Sequence, residues 1–218
     1  MAAYCDDVPM ARLVSVNVGR PQPVGLRRGR TVKSAIGKAP VDRRVRVSGV
    51  NVEGDDQADR SVHGGPDKAI YAYAAEDTAW WEAQLERELV PGAFGENLTV
   101  EGVDVSGAVI GERWRLGTVE LEVCQPRFPC FKLGLRFGDP KMLKRFTQAE
   151  RPGAYLRIVC EGEIAAGDAI EVLDRPAHGI TVAVVARAVM IDHALLAGAA
   201  DAPALPGDLS EWMRERAA

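Results

Sequence analysis

Long apolar runs are missing from this chain of 218 residues. A membrane-spanning helix needs about 20 consecutive, mostly apolar residues, and no segment approaches that length. The N-terminal stretch MAAYCDDVPMARLVSV also lacks the basic region followed by an apolar region that marks a secretory signal. These absences predict a protein without membrane association, located in the cytoplasm.

Cysteine and histidine are scarce, with four cysteines and three histidines. The cysteines form no CxxC pair, which favours a reducing compartment, where a lone cysteine is more often buried or catalytic than bridged. Their spacing does not fit the common iron–sulfur motifs, and it is wrong for a structural zinc finger. The positions are Cys5, Cys124, Cys130 and Cys160. The sequence therefore offers single thiols rather than a cysteine-built cluster.

The net charge of −4 conceals a strongly basic segment at residues 12–47. This segment has ten lysines and arginines against one acid, Asp42, and so carries a local charge of +9. Such a surface predicts a local anion site, for a phosphorylated cofactor or for nucleic acid. A solvated, arginine-rich hairpin is the alternative. The segment has no aromatic side chain on which bases could stack, which argues against binding of single strands.

Short strand patterns separated by glycine turns dominate the first two thirds of the chain. TVELEV, for example, alternates apolar residues with glutamate, and many such strands indicate a barrel or sandwich. Helical spacing appears in EDTAWWEAQLEREL and in DPKMLKRFTQA, where Asp139 is a candidate N-cap. We therefore predict a mainly β fold of the α+β class.

Composition also predicts how the chain divides. After Pro176 the sequence becomes rich in alanine and leucine, with three short helical patterns. We predict a flexible N-terminus over residues 1–11, a β-rich domain over residues 12–175 and a small three-helix domain over residues 176–218.

The segment QPRFPC, residues 125–130, is the strongest candidate for a chemical site. Its prolines lack a backbone N–H and push the preceding residues out of the helical region. A strand that ends near Val123 should therefore lead into a rigid, extended loop. The loop presents Cys130 between Arg127 and Lys132, and nearby cations favour the thiolate, which is a nucleophile and a soft metal ligand. The alternative is a buried structural cysteine after a turn.

Two further segments contain glycines beside polar side chains. GDDQADRSVHGGPDKAIYAY, residues 54–73, places His63 before Gly64, whose backbone allows close approach of a ligand. GAFGENLTV, residues 92–100, places Asn97 on a glycine turn before a strand. Each segment fits a ligand-binding loop, and each also fits ordinary turn chemistry.

Four segments, taken in order, resemble the MOSC domain: HGGPDKAIYAY, FGENLTVEG, IGERWRLGTVELEVCQPRFPCFKL and RPGAYLRIVCEGEIAAGDAIEV. This domain is shared by the C-termini of molybdenum cofactor sulfurases and by small bacterial proteins of the hydroxylaminopurine-resistance type. The resemblance covers about residues 12–173, and the tail after Pro176 is similar to the three-helix extension of the small bacterial members. The resemblance implies a MOSC-type β-barrel with inserted helices.

The resemblance also implies a site that holds molybdenum cofactor, a molybdenum–pterin group. Cys130 would be the catalytic cysteine and would supply a thiolate to the metal. Residues implied to contact the cofactor are His63, Gly64, Lys38, Asn97, Arg127 and Tyr155, with arginines of the basic segment and Lys38 near the cofactor phosphate. Pyridoxal phosphate is linked to the family only through the desulfurase domain of sulfurases, and we do not expect it in this chain.

The reaction implied by the resemblance is reduction of small N-hydroxylated compounds, such as N-hydroxylated bases or amidoximes. The chain carries no flavin or iron–sulfur signature, so the two electrons have to come from a separate flavin or iron–sulfur reductase. The sequence leaves the oligomeric state open between a monomer and a homodimer.

Two other functions also fit the sequence. Cys130 could carry a persulfide and transfer its sulfur to another centre. The chain could instead be a non-catalytic module that binds anions or nucleic acid through its basic segment. The binding affinity of such a module would fall steeply with salt and would not change in Cys130→Ala, whereas both thiol functions require Cys130.

Overall fold

Thirteen strands in three sheets form the framework of the part of the chain that the structure describes. The computed structural model describes residues 10–56 and 64–218. The strands are β1 (Arg12–Val18), β2 (Gln22–Arg27), β3 (Arg30–Ser34), β4 (Ala39–Pro40), β5 (Val45–Ser48), β6 (Asn51–Val52), β7 (Ile70–Ala74), β8 (Leu98–Glu101), β9 (Arg113–Leu116), β10 (Val119–Pro126), β11 (Ala154–Cys160), β12 (Gly162–Ile164) and β13 (Ile170–Asp174).

The largest sheet has eight strands in the order β13-β9-β10-β11-β7-β8-β1-β4. Its pairs are antiparallel apart from β7 with β8, which run parallel. Strands β12, β5 and β6 form a second sheet, and β2 with β3 forms a separate two-stranded ribbon. The mainly β, α+β class predicted from the sequence is therefore confirmed.

The eight-stranded sheet curls toward closure without forming a closed barrel of paired strands. Arg12 in β1 forms an isolated bridge with Ala169, just before β13, and Leu13 N donates to Asp168 O at 2.9 Å. No longer ladder joins these ends among the described residues, because the rest of that edge of β1 is taken by β4, which pairs with Asn17 and Val18. The implied barrel is thus corrected to an open, curled sheet.

Six α-helices and two 3₁₀ turns lie within the described ranges. They are α1 (Ala75–Leu85), α2 (Phe131–Phe137), α3 (Met142–Ala149), α4 (Val182–Met190), α5 (Leu196–Ala199) and α6 (Gly207–Ala217), with 3₁₀ turns at Pro66–Lys68 and His193–Leu195. Helix α3 begins at Met142, later than its pattern predicted, because residues 140–141 form a turn. Asp139 accepts a 2.8 Å hydrogen bond from Lys141 N, the contact that a capping aspartate makes. None of the helices in these ranges is long and apolar enough to cross a membrane.

The C-terminal helices share the main hydrophobic core with the sheet. Val182 and Val185 of α4, Leu196 of α5 and Met213 of α6 are fully buried in the same cluster as sheet residues such as Leu121. Burial of each such side chain contributes about 1.5–3 kcal/mol. The apolar face of the tail therefore packs on the sheet.

A second core, rich in aromatic residues, lies beneath the candidate site. Tyr73, Trp81, Phe94 and Phe146 are buried there, and the ring centroids of Trp81 and Phe146 are 6.1 Å apart in nearly parallel planes. Trp81 Nε1 donates a 2.9 Å hydrogen bond to the hydroxyl of Tyr73. This interlocked cluster gives the site a rigid floor.

Candidate active site

One pocket brings together five of the residues singled out from the sequence. Lys38, Asn97, Arg127, Cys130 and Tyr155 all line it, and it encloses about 100 Å³ of space for water-sized groups. They come from four separate parts of the chain, so the tertiary fold assembles the site. Their roles toward a ligand stay predictions.

Strand β10 and helix α2 position the thiol of Cys130. The sequence predicted that this strand ends near Val123, but it continues to Pro126. Pro126 pairs with Ala154 after an irregularity in the pairing at Val123–Gln125. A short extended turn follows, and Cys130 has φ −120° directly before α2. Leu133 N donates to Cys130 O at 2.9 Å. The side chain of Cys130 is therefore held at the pocket wall in a partly exposed position.

Arg127 is a buried cation in the pocket, and one of its donors is unpaired among the described residues. Its side chain is buried, with the residue 6% exposed, and its guanidinium carbon lies 5.1 Å from the ring centroid of Tyr71 and 5.4 Å from that of Phe146. Its Nη1 has no hydrogen-bond partner among the described residues. A buried, unpaired donor is costly, so this N–H is well suited to an anionic or oxygen-bearing ligand.

Lys38 forms a buried ion pair with Asp55, a pocket residue that the sequence analysis did not single out. The side chains are 8% and 1% exposed, and Asp55 also accepts hydrogen bonds from Gly19 N at 2.7 Å and from Asn97 Nδ2 at 2.9 Å. Burial lowers the pKa of Lys38, while the Asp55 carboxylate opposes that shift. The only sequence signal for Asp55 was its place in a run of acids beside a glycine.

The amide of Asn97 is engaged with the protein on both sides. Its Oδ1 accepts from Tyr71 N at 3.2 Å, and its Nδ2 contacts Asn17 O at 3.3 Å as well as Asp55. Asn97 thus joins β7, β8 and the Lys38–Asp55 pair.

Glu96, one residue earlier, stabilises the turn that carries Asn97. Its carboxylate accepts hydrogen bonds from Gly92 N at 2.6 Å, Phe94 N at 3.0 Å and the Thr99 hydroxyl at 3.1 Å. Burial nevertheless raises its pKa above the ordinary value of 4.5. The conformation of the GENLT segment is therefore set by a buried carboxyl group.

Two tyrosines form an adjacent part of the wall. The ring centroids of Tyr71 and Tyr155 are 5.3 Å apart, and the Tyr71 hydroxyl donates to Pro152 O at 2.9 Å. Burial raises the pKa of both phenols. Both therefore stay neutral at physiological pH.

The predicted contact Gly64 does not line the Cys130 pocket. Gly64 lines a neighbouring cavity with Gln125 and Trp212, and this cavity shares Lys68 and Phe128 with the Cys130 pocket. His63 lies outside the described residues, so its predicted role stays a prediction.

The other described cysteines differ sharply from Cys130. Cys124 is fully buried, its Sγ lies 3.0 Å from Asp67 O and 3.3 Å from Tyr155 O, and burial raises its pKa to about 12. Cys160 is exposed at the end of β11. Within residues 10–56 and 64–218, Cys130 is the thiol that lines the pocket, and no group of three or more His, Cys, Asp or Glu side chains could hold a metal ion.

The MOSC domain matches residues 59–171, just over half of the chain, and the chain belongs to this family. The match lies within the β-rich segment and includes Cys130.

Similar proteins support the same assignment. The uncharacterized protein YflK of Bacillus subtilis is 41% identical over 170 residues, which cover 78% of this chain and 76% of YflK. A Gibberella moniliformis protein named reductase is 37% identical over 181 residues, which cover 80% of this chain and 32% of that protein. The crystal structure of YiiM from Geobacillus stearothermophilus has a TM-score of 0.78 at 30% identity and covers 95% of this chain and 100% of YiiM.

Proposed function

We propose that this protein binds molybdenum cofactor through the Cys130 thiolate and reduces N-hydroxylated compounds such as N-hydroxylated bases or amidoximes. The observation that carries the proposal is the buried Arg127 Nη1, which lacks a partner among the described residues in the pocket that Cys130 lines. Membership of the MOSC family and similarity to a protein named reductase support it.

The residues of the pocket fit such a cofactor chemically. A thiolate is a soft ligand that suits a metal already bound by sulfur, and Cys130 can supply it. The cofactor is anionic, and the pocket is lined by the cationic side chains of Arg127, Lys38, Lys68 and Lys132. Two carboxylates, Asp55 and Asp56, line it as well, and Asp55 is paired with Lys38. When bound, the cofactor would supply the two-electron chemistry that cleaves the N–O bond.

The protein itself has to bind the substrate and deliver protons. Reduction of an N-hydroxylated amine consumes two electrons and two protons and releases the amine and water. Lys38 holds protons on a buried Nζ beside Asp55, and its pKa is lowered by burial, so it is a candidate proton donor. The neutral Tyr71 and Tyr155 provide an apolar wall that limits the entry of water.

Metal and pterin content per chain tests this proposal directly. Wild type, Cys130→Ala and the exposed-cysteine control Cys160→Ala should be expressed in cells that make the cofactor. We expect near-stoichiometric molybdenum in wild type and in the control, and its loss in Cys130→Ala. Wild type without molybdenum, or Cys130→Ala with full loading, would contradict the proposal. Loaded protein should then reduce an N-hydroxylated base with a chemical reductant.

Sulfur carriage is the second candidate, because Cys130 is partly exposed at a pocket wall and could be reached by a donor of sulfane sulfur. In that case the purified protein would contain no molybdenum and would carry cyanide-releasable sulfur that is lost in Cys130→Ala. If no activity of the protein changes in Cys130→Ala, the result would instead favour a non-catalytic module that binds anions or nucleic acid.

A further inference from the structure

The structure divides the basic segment into a paired half and an unpaired half. Five of its ten cations form ion pairs with acids elsewhere: Arg12, Lys38, Arg43, Arg44 and Arg46. The other five form no ion pair within the described ranges: Arg20, Arg27, Arg28, Arg30 and Lys33. Four of these five belong to the β2–β3 ribbon and its turn, so the uncompensated charge is concentrated on one small element.

Several local features of the β2–β3 ribbon are unfavourable for its stability. Arg27 lies directly opposite Arg30, and like charges in this position are destabilising. Arg28 occupies a left-handed turn position with φ 52°, where glycine, asparagine or aspartate is favoured. Leu26, beside these arginines, is 67% exposed. An anionic partner would neutralise the arginines and cover the leucine.

The ribbon also borders the pocket. The guanidinium carbon of Arg27 lies 3.8 Å from the ring centroid of Phe131, the residue that follows Cys130. At its other end, β3 finishes at Ser34, which lines the pocket together with Ala35. The arginines are therefore on an element that is in direct contact with the Cys130 loop and continuous with the pocket wall.

We infer that the β2–β3 ribbon is the docking surface for an acidic, one-electron carrier protein of the ferredoxin class. This inference rests on the proposed function. Two reduced carriers would each give one electron, two protons taken up from solvent would reach the substrate through donors in the pocket, and the N-hydroxylated substrate would leave as amine and water. The matched region is 32% of the relative named reductase, so most of that protein lies outside the part similar to this chain.

The surface suits a protein better than a nucleic acid. An exposed leucine among arginines matches the mixture of a small apolar centre and a charged rim in transient electron-transfer complexes, which bury less than about 1,200 Å². Residues 12–47 contain no aromatic side chain for base stacking. Complementary charge would act mainly on the rate of association.

Binding of an oxidised, acidic plant-type [2Fe–2S] ferredoxin to the full-length protein provides a test that does not depend on activity. The ribbon variant Arg28→Gln/Arg30→Gln should be compared with the control Arg43→Gln/Arg46→Gln. Both remove two positive charges from the same segment, but the control arginines are ion-paired with Glu53 and Glu161. Titration at low and high ionic strength gives the dissociation constant of each complex.

We expect the ribbon variant to bind about tenfold more weakly than wild type and the control at low ionic strength, with the difference disappearing in high salt. Ferredoxin-driven turnover should fall in parallel, while turnover driven by reduced viologen should be unchanged. Equal binding by the two variants would overturn the inference, as would a selective loss of DNA binding in the ribbon variant. Ferredoxin binding without any reductase activity would instead count against the proposed function alone.

Discussion

Lys38 and Asp55 form a buried ion pair in the wall of the Cys130 pocket. Asp55 is itself held by Gly19 N and by Asn97 Nδ2. The pair therefore ties the basic segment to the GENLT turn, and the positive charge of Lys38 is already balanced by protein. Any contact of Lys38 with an anionic cofactor has to be made in the presence of this carboxylate.

Breaking the pair on one side should be strongly destabilising. Lys38→Met leaves the Asp55 carboxylate buried and unpaired, and we expect a loss of about 3–5 kcal/mol in the free energy of unfolding. The double variant Lys38→Met/Asp55→Asn should be at least about 2 kcal/mol more stable than the sum of the single effects predicts. Urea denaturation of the four proteins measures this coupling.

The exposed pair Arg43–Glu53 offers a matched control, since its side chains are 59% and 52% exposed. The same cycle with Arg43→Met and Glu53→Gln should give a coupling below about 1 kcal/mol. If the Lys38–Asp55 coupling is equally small, the pair is not buried in solution.

Asn97 should matter to stability as well as to ligand binding. Asn97→Ala removes side-chain bonds to Tyr71 N, Asn17 O and Asp55. We expect a loss of about 2–4 kcal/mol, because these partners become unsatisfied. Asn51→Ala, at a half-buried asparagine that bonds Asp55 O at 2.9 Å, should cost about 1 kcal/mol. Equal effects in denaturant melts would mean that Asn97 is not a structural centre.

The three described cysteines should react very differently with an alkylating agent. In native, metal-free protein at neutral pH, iodoacetamide should modify Cys130 and Cys160, which are accessible. Cys124 should react only after unfolding, because it is fully buried and its pKa is about 12. Peptide mass spectrometry reads each site separately. Rapid native labelling of Cys124 would show that β10 opens readily.

Glu96 should make the protein less stable as pH rises through mildly acidic values. The folded-state pKa of Glu96 is raised above 4.5, so the unfolded chain releases this proton first as pH rises. This release lowers the free energy of the unfolded chain relative to the folded chain. This contribution to stability is complete below pH 4.5 and is lost as pH rises through the folded pKa. Relative to wild type, Glu96→Gln should therefore become more stable as pH rises above 4.5, as followed by urea denaturation.

Asp168 should affect the pH dependence of stability in the opposite direction and serves as a control. Arg44 donates to both of its carboxylate oxygens, at 2.8 and 3.0 Å, and lowers the pKa of Asp168 below 3.8. Its contribution is present above pH 3.8 and is lost as pH falls. Asp168→Asn should thus be destabilised at pH 6 and approach wild type in strong acid. A Glu96→Gln profile with that same shape would contradict the assignment of a raised pKa.

Local sequence patterns predicted which strands and helices form better than they predicted the residues at which these elements begin and end. Alternation in TVELEV correctly indicated β10, but the prolines after it suggested an early end, whereas the strand continues to Pro126. A proline lacks a donor but can still occupy a strand position where no ladder N–H is needed. Helix α3 likewise begins at Met142, because a turn at residues 140–141 separates the Asp139 side chain from the first helical residue.

The sequence by itself determined the α+β class, the family and the selection of Cys130 as the candidate site residue. These depend on periodicity, proline constraints and motifs along the chain. Only the tertiary structure decided that Asp55 pairs with Lys38, that Arg127 Nη1 is buried without a partner in the described residues, and that half of the basic segment is neutralised. The physical reason is that burial and ion pairing join residues far apart in the chain. Local composition records each charge, but not which charge lies beside it.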